Sequence, residues 1–93
     1  MQIQHTHNEK NGTFFIEENG VQIAFMTYVN AGPGKFIIEH TIVEPGNEGR
    51  GIGKLLVAAG VNYARENNLK IIPLCSFAKA VFDKTPDYAD VLF

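Results

Sequence analysis

His40, Cys75 and the run Gly49-Arg50-Gly51-Ile52-Gly53-Lys54 are the residues of this chain whose types and spacing suit chemistry. An imidazole titrates near neutral pH and can take a proton from an amine. A thiol beside the start of a helix is drawn toward thiolate by the partial positive charge there, and Ser76, a fair N-cap, directly follows Cys75. The glycines follow the apolar run Phe36–Val43 and precede an apolar pattern of helical period. Glycine costs roughly 0.5–1 kcal/mol relative to alanine inside a regular element, so a cluster of it marks a special backbone path or a close approach. A helix amino terminus adds unpaired N–H groups and partial positive charge, and a loop able to wrap around an anion there is a phosphate site.

Spacing narrows the kind of phosphate loop. A P-loop needs glycine five residues before the Gly of Gly53-Lys54 and Ser or Thr after the lysine, where Glu48 and Leu55 stand. The dinucleotide pattern G-x-G-x-x-G, begun at Gly49 or Gly51, needs glycine at Lys54 or Leu56, and the chain has no room for a second mononucleotide half.

The elements that must position these residues follow from pattern. Asn11-Gly12 and Asn19-Gly20 stand between strand-forming segments and suit hairpin turns. They predict a meander of strands near Ile3–Asn8, Thr13–Glu17, Gln22–Val29 and, after a loop over Asn30–Gly34, Lys35–Val43. Ile52, Leu55, Leu56, Ala59 and Tyr63 then recur at helical spacing, with Val57, Val61 and Ala64 widening the face, up to a stop near Asn67-Asn68. Leu69–Cys75 reads as a short buried strand, and Phe77–Lys84 as a second helix ending before Pro86. The fold class is therefore α/β with a mixed sheet: an antiparallel meander, a right-handed βαβ crossover and a C-terminal helix. Ligands of such sheets bind beyond the carboxyl ends of the parallel strands, where the glycine loop lies.

Length and charge bound the partners. At 93 residues the chain is expected to form a single domain, 1–93. A net charge of −2 gives no case for nucleic acid or an anionic membrane. One cysteine excludes an internal disulfide, the opening MQIQHTHNEKN lacks an apolar signal core, and no apolar stretch is long enough to span a bilayer. A cytoplasmic protein is the expectation.

Glu48-Gly49-Arg50-Gly51-Ile52-Gly53 ahead of an apolar helix resembles the acyl-CoA loop of the GNAT superfamily of N-acetyltransferases. The family pattern is Arg or Gln, two residues, Gly, one residue, then Gly or Ala. Gly51 and Gly53 match its small positions, and Glu48 departs from it. The order of elements extends the likeness over most of the chain. His40-Thr41 before the loop and Ile72-Pro73-Leu74-Cys75 after it resemble the short single-domain, YjdJ-like branch. The resemblance implies acetyl-CoA as cosubstrate, no metal, and transfer of acetyl to an amine, a protein lysine or N-terminus among the candidates. It implies cofactor contacts at Ile42, Val43, Gly49, Arg50, Gly51, Ile52, Gly53, Lys54 and Ser76, and catalytic roles for His40 and Cys75. Only Lys10-Asn11-Gly12 separates the first two predicted strands, where larger members carry two helices, so the acceptor groove should be open to a protein side chain or a subunit partner. Oligomerisation is left open. The competing classes are a noncatalytic acyl-CoA-binding module and a phosphate-binding regulatory domain.

Each candidate also has a plainer reading. By alternation His40 shares a face with Phe36, Ile38 and Ile42 and would be a hydrogen-bonded core imidazole, with Glu39 solvated opposite. Cys75 would be a small core hydrophobe. Arg50 and Lys54 would be solvated loop charges, His5 and His7 exposed histidines with no third metal ligand, and Phe77 and Phe82 packing residues. Tyr63 or Tyr88 is a candidate to protonate a departing thiolate, although Tyr63 fits the helix core pattern.

Overall fold

Alternating apolar side chains build four strands, β1 (Ile3–His7), β2 (Asn11–Glu18), β3 (Val21–Asn30) and β4 (Lys35–Val43), in a computed structural model that describes residues 1–93. Consecutive strands pair antiparallel, and β5 (Lys70–Pro73) joins β4 in parallel, so the sheet order is β1-β2-β3-β4-β5. Helix α1 (Ile52–Glu66) makes the β4-to-β5 crossover, and α2 (Ser76–Lys84) with a short 3₁₀ helix, Pro86–Val91, follows. The mixed α/β architecture is the one the sequence predicts.

One sheet face carries Phe14, Ile16, Met26, Tyr28, Phe36 and Ile38, all nearly inaccessible, in a single core with Leu56, Val57, Val61 and Ala64 of α1. Gly60 lets α1 sit low on the sheet, since a Cβ there would stand 3.0 Å from Met26 Cε. Ala78, Val81 and Phe82 of α2 join the same core. The chain then returns to β5, where the Phe93 N–H donates to the Ile71 carbonyl at 2.9 Å.

Asn19 and Gly20 take φ of 53° and 78°, the positive pair that a tight hairpin needs. Asn68, with φ 55°, leads the chain out of α1 as expected. Asn11-Gly12 is not a turn. The β1–β2 turn lies over Asn8-Glu9-Lys10, where Asn8 Oδ1 accepts from the N–H groups of Lys10 (2.8 Å) and Asn11 (2.9 Å). Gly12 is inside β2 because Tyr28 leans on it: a Cβ would stand 2.4 Å from the phenol oxygen.

Two departures bear on the site. In β4 the register against β3 runs Tyr28–Ile38 and then Thr27–His40, leaving Glu39 as the extra residue of a β-bulge. Alternation breaks there, so Glu39 and His40 are both exposed. The plainer reading of His40 as a core imidazole is thereby overturned. Thr41 and Val43 return to the side of the core, Val43 packing against it, while Ile42 is exposed. The cap of α2 is Cys75 rather than Ser76. Cys75 has the extended backbone of an N-cap, φ −72° and ψ 144°, and its Sγ accepts from the Ala78 N–H at 3.4 Å; Ser76 is already helical.

Candidate functional site

The loop from Glu44 to Gly51 is shaped by glycines at positive φ: Gly46 (91°), Gly49 (80°) and Gly51 (73°). Gly51 is the N-cap of α1 in left-handed conformation, so no side chain caps the helix and its first turn carries no acidic residue. The first intrahelical bond runs from the Leu55 N–H to the Gly51 carbonyl at 3.2 Å. The N–H groups of Ile52, Gly53 and Lys54 therefore have no acceptor in the helix and face outward with its partial positive charge.

They adjoin a cavity of about 270 Å³. Six expected cofactor residues form its wall, Val43, Gly49, Gly51, Ile52, Gly53 and Lys54, joined by Asn47, Glu48 and Phe77. Ile42, Arg50 and Ser76 lie outside it. The Arg50 guanidinium is occupied elsewhere, donating to both carboxylate oxygens of Glu18 (3.2 and 2.7 Å) and to Asn47 Oδ1 (2.8 Å). That pair holds the Glu18 carboxyl below its ordinary range and ties the loop to the end of β2. Glu48, the departure from the family pattern, folds onto the loop: its Oε2 accepts from the Gly46 N–H at 2.7 Å. A carboxylate thus sits in the rim of a cavity otherwise suited to anions.

Beside the loop the sheet opens. Pairing of β4 with β5 ends at Ile38–Pro73, and the N–H groups of Leu74 and Cys75 both donate to the Ile38 carbonyl, at 3.1 and 3.2 Å. From Glu39 to Val43 the β4 edge has no strand partner on that side. An exposed edge of this kind can hydrogen-bond an extended, amide-bearing ligand. Cys75 Sγ meets Thr41 Oγ1 at 3.4 Å across the opening. The side chain brought to Cys75 is therefore Thr41, which sequence reasoning missed. The signal available was its place in the His40-Thr41 pair, and the bulge at Glu39 exchanged the two.

Other candidates lie apart. Tyr63 belongs to an aromatic cluster with His5, His7, Phe14, Tyr28 and Phe36, toward the far end of α1 from the loop. His5 is not a free surface histidine: it stacks on Phe14 at 4.0 Å, and its Nε2 lies 2.7 Å from the Tyr28 hydroxyl. Burial, then the Tyr63 phenol, pushes the Tyr28 hydroxyl well above its ordinary range, so it keeps its proton. Phe77 lies against the first turn of α1, where a Cβ on Gly53 would stand 2.6 Å from its ring.

A mixed sheet thus opens between two parallel strands, with a glycine loop and an uncapped helix start at its mouth. Residues 13–91 match the family model described as GCN5-related N-acetyl-transferase, and the chain belongs to that family. It is an acetyltransferase, and acetyl-CoA-dependent transfer is its general chemistry. The structure is similar to a GCN5-like protein from Staphylococcus aureus assigned as an N-acetyltransferase, with TM-score 0.77 and 38% identity over 99% of this chain and 87% of that one. It is similar to an acetyltransferase-like protein from Clostridium acetobutylicum solved with acetyl-CoA, with TM-score 0.65 and 26% identity over 80% of this chain and 55% of that one. The fold is shared with the ribosomal-protein-S18-alanine N-acetyltransferase from Escherichia coli, at TM-score 0.69 and 16% identity over 84% of this chain and 53% of that one. The chain thus spans about half the length of the last two. No curated protein sequence matches it significantly.

Proposed function

We propose that the chain, as one domain of residues 1–93, holds the pyrophosphate of acetyl-CoA in the loop cradle and transfers the acetyl group to a protein amine, a lysine or an N-terminus. The observation that carries this reading is the uncapped amino end of α1, with Gly49, Gly51 and Gly53 in the wall of the same cavity. Backbone N–H groups and helix charge bind phosphate there without a dedicated side chain, and Lys54 adds a cation. The acyl arm then lies along the unpaired edge of β4 and brings the thioester to the opening that Thr41 and Cys75 line. The three-residue turn between β1 and β2 leaves the acceptor side uncovered, which suits a protein side chain. The YjdJ-like branch and a cytoplasmic location belong to the same reading, supported by the His40-Thr41 and Ile72–Cys75 segments and the lone free thiol.

In direct transfer the neutral amine attacks the thioester carbonyl carbon. The C–N bond forms, the C–S bond breaks and CoA leaves as thiolate. The proton lost by the amine passes to a base, and exposed His40, on the strand before the loop, is the group we assign to receive it. Cys75 lines the thioester site in this route. In a relay its sulfur would take the acetyl group first and release it to the amine.

Incubating the protein with acetyl-CoA and a mixed peptide library bearing free lysines and N-termini, followed by mass spectrometry, tests the proposal. Acetylated amines are the expected result. Tight CoA binding with no amine acetylated and no acetyl-CoA hydrolysed would replace the enzyme by a noncatalytic acyl-CoA-binding module.

A further inference from the structure

We infer that two copies of the chain pair through the open face of the sheet, the one that no helix covers. Helices α1 and α2 and the 3₁₀ helix all contribute to the core on one side of the sheet. Residues that alternate with the core positions of the strands point the other way. Phe15 stands opposite Phe25, and Phe25 opposite Ile42, in one row across β2, β3 and β4. Val29, Ile37 and Ile72 make a second row across β3, β4 and β5. None of the six belongs to the core; five are half-buried within the sheet, and Ile42 is 42% exposed. A monomer seldom leaves a contiguous apolar face of this kind bare.

The face fits a second copy of itself in chemistry and in size. Between the two apolar rows runs a polar one, with Thr13, Thr27 and His40 in register. Thr27 Oγ1 is buried without a hydrogen-bond partner in the chain, and a facing polar side chain would satisfy it. No Asp, Glu, Lys or Arg stands in any of the three rows. No charge therefore selects a partner of opposite sign, and a copy related by a two-fold axis meets no like charge there. Five strands spaced about 4.8 Å apart and three rows spaced about 6.8 Å apart give a flat footprint of roughly 500 Å² per copy. Side-chain relief adds to this, so two copies remove more than about 1,000 Å² from water, the floor for a specific interface. Sheet-on-sheet packing is the ordinary way to bury such a face. Centred on Phe15 and Phe25 of β2 and β3, the pair leaves the opening at Cys75 free, while the partner copy borders exposed His40. The inference stands apart from the loop cradle.

Sedimentation equilibrium of the wild type and of Phe25→Glu, over roughly 10 μM to 1 mM, with folding followed by circular dichroism, tests this. The wild type should reach twice the 10.3 kDa of one chain. A carboxylate in the apolar row of each copy should weaken association at least about a hundredfold. Thr13→Arg puts a charge on the same face in place of a polar side chain, and should act in the same way if Phe25→Glu does not fold. A wild type that stays at 10.3 kDa throughout overturns the inference and leaves the face to another occupant, such as an acceptor protein. A dimer that persists unchanged in either folded variant places the contact elsewhere and overturns it as well.

Discussion

Cys75 does two things at once, capping α2 through Sγ and meeting Thr41 across the strand opening. Serine is at least as good an N-cap as a thiol, so Cys75→Ser keeps the fold and separates structure from chemistry. The direct route predicts an unchanged melting temperature and most of the acetylation rate; lost turnover, with acetylated Cys75 in the intact mass of the wild type, would establish the relay. Glu48→Gln makes a second residue-scale prediction. The amide oxygen can still accept from Gly46 N–H, but the negative charge is gone from the cavity rim, so CoA should bind roughly 2- to 5-fold more tightly by calorimetry. Glycine spacing made most of the cavity wall legible in the sequence. The positions of His40 and Thr41 were not, because strict alternation cannot show the residue that a bulge inserts.

The decisive element is α1, whose first turn supplies the free N–H groups while Gly53 takes the ring of Phe77 from α2. Gly53→Ala should push that ring aside, costing about 1 kcal/mol as mild overpacking, and combining it with Phe77→Ala should relieve most of the cost. Additive losses of melting temperature in the double variant would mean that the two residues do not pack as described. The span of α1 was legible because its apolar residues keep helical period as far as Asn67-Asn68. Asn11-Gly12 misled for a physical reason. The same dipeptide serves a turn through its backbone freedom or a strand through its missing side chain, and the choice depends on Tyr28, sixteen positions beyond Gly12.

Across the whole molecule, the loop and the aromatic cluster around Tyr28 and Tyr63 lie toward opposite ends of α1, so stability and ligand binding can be probed separately. Burial first, and then His7, lowers the pKa of His5 below its ordinary 6.5. The unfolded chain therefore binds more protons in the window below 6.5. The contribution of neutral His5 is full above that pH and is lost as pH falls through the folded value. The melting temperature should hold steady above the ordinary histidine value and decline as pH falls below about 6.5, and His5→Gln should flatten that decline. Glu18 and Asp90, held low by Arg50 and Arg65, add their own losses only below the ordinary carboxylate range.

The central claim is that the Gly51 turn and the uncapped start of α1 form a cradle for the CoA pyrophosphate. A Cβ at position 51 would meet no neighbour within 4 Å, but φ 73° is a conformation a β-branched residue resists, so Gly51→Val strains the loop backbone itself. Titration of acetyl-CoA into the wild type and Gly51→Val, followed by calorimetry with folding checked by circular dichroism, tests the claim directly. The account predicts binding by the wild type and at least a tenfold loss, about 1.4 kcal/mol, in the folded variant. Equal affinity of the two folded proteins would contradict it.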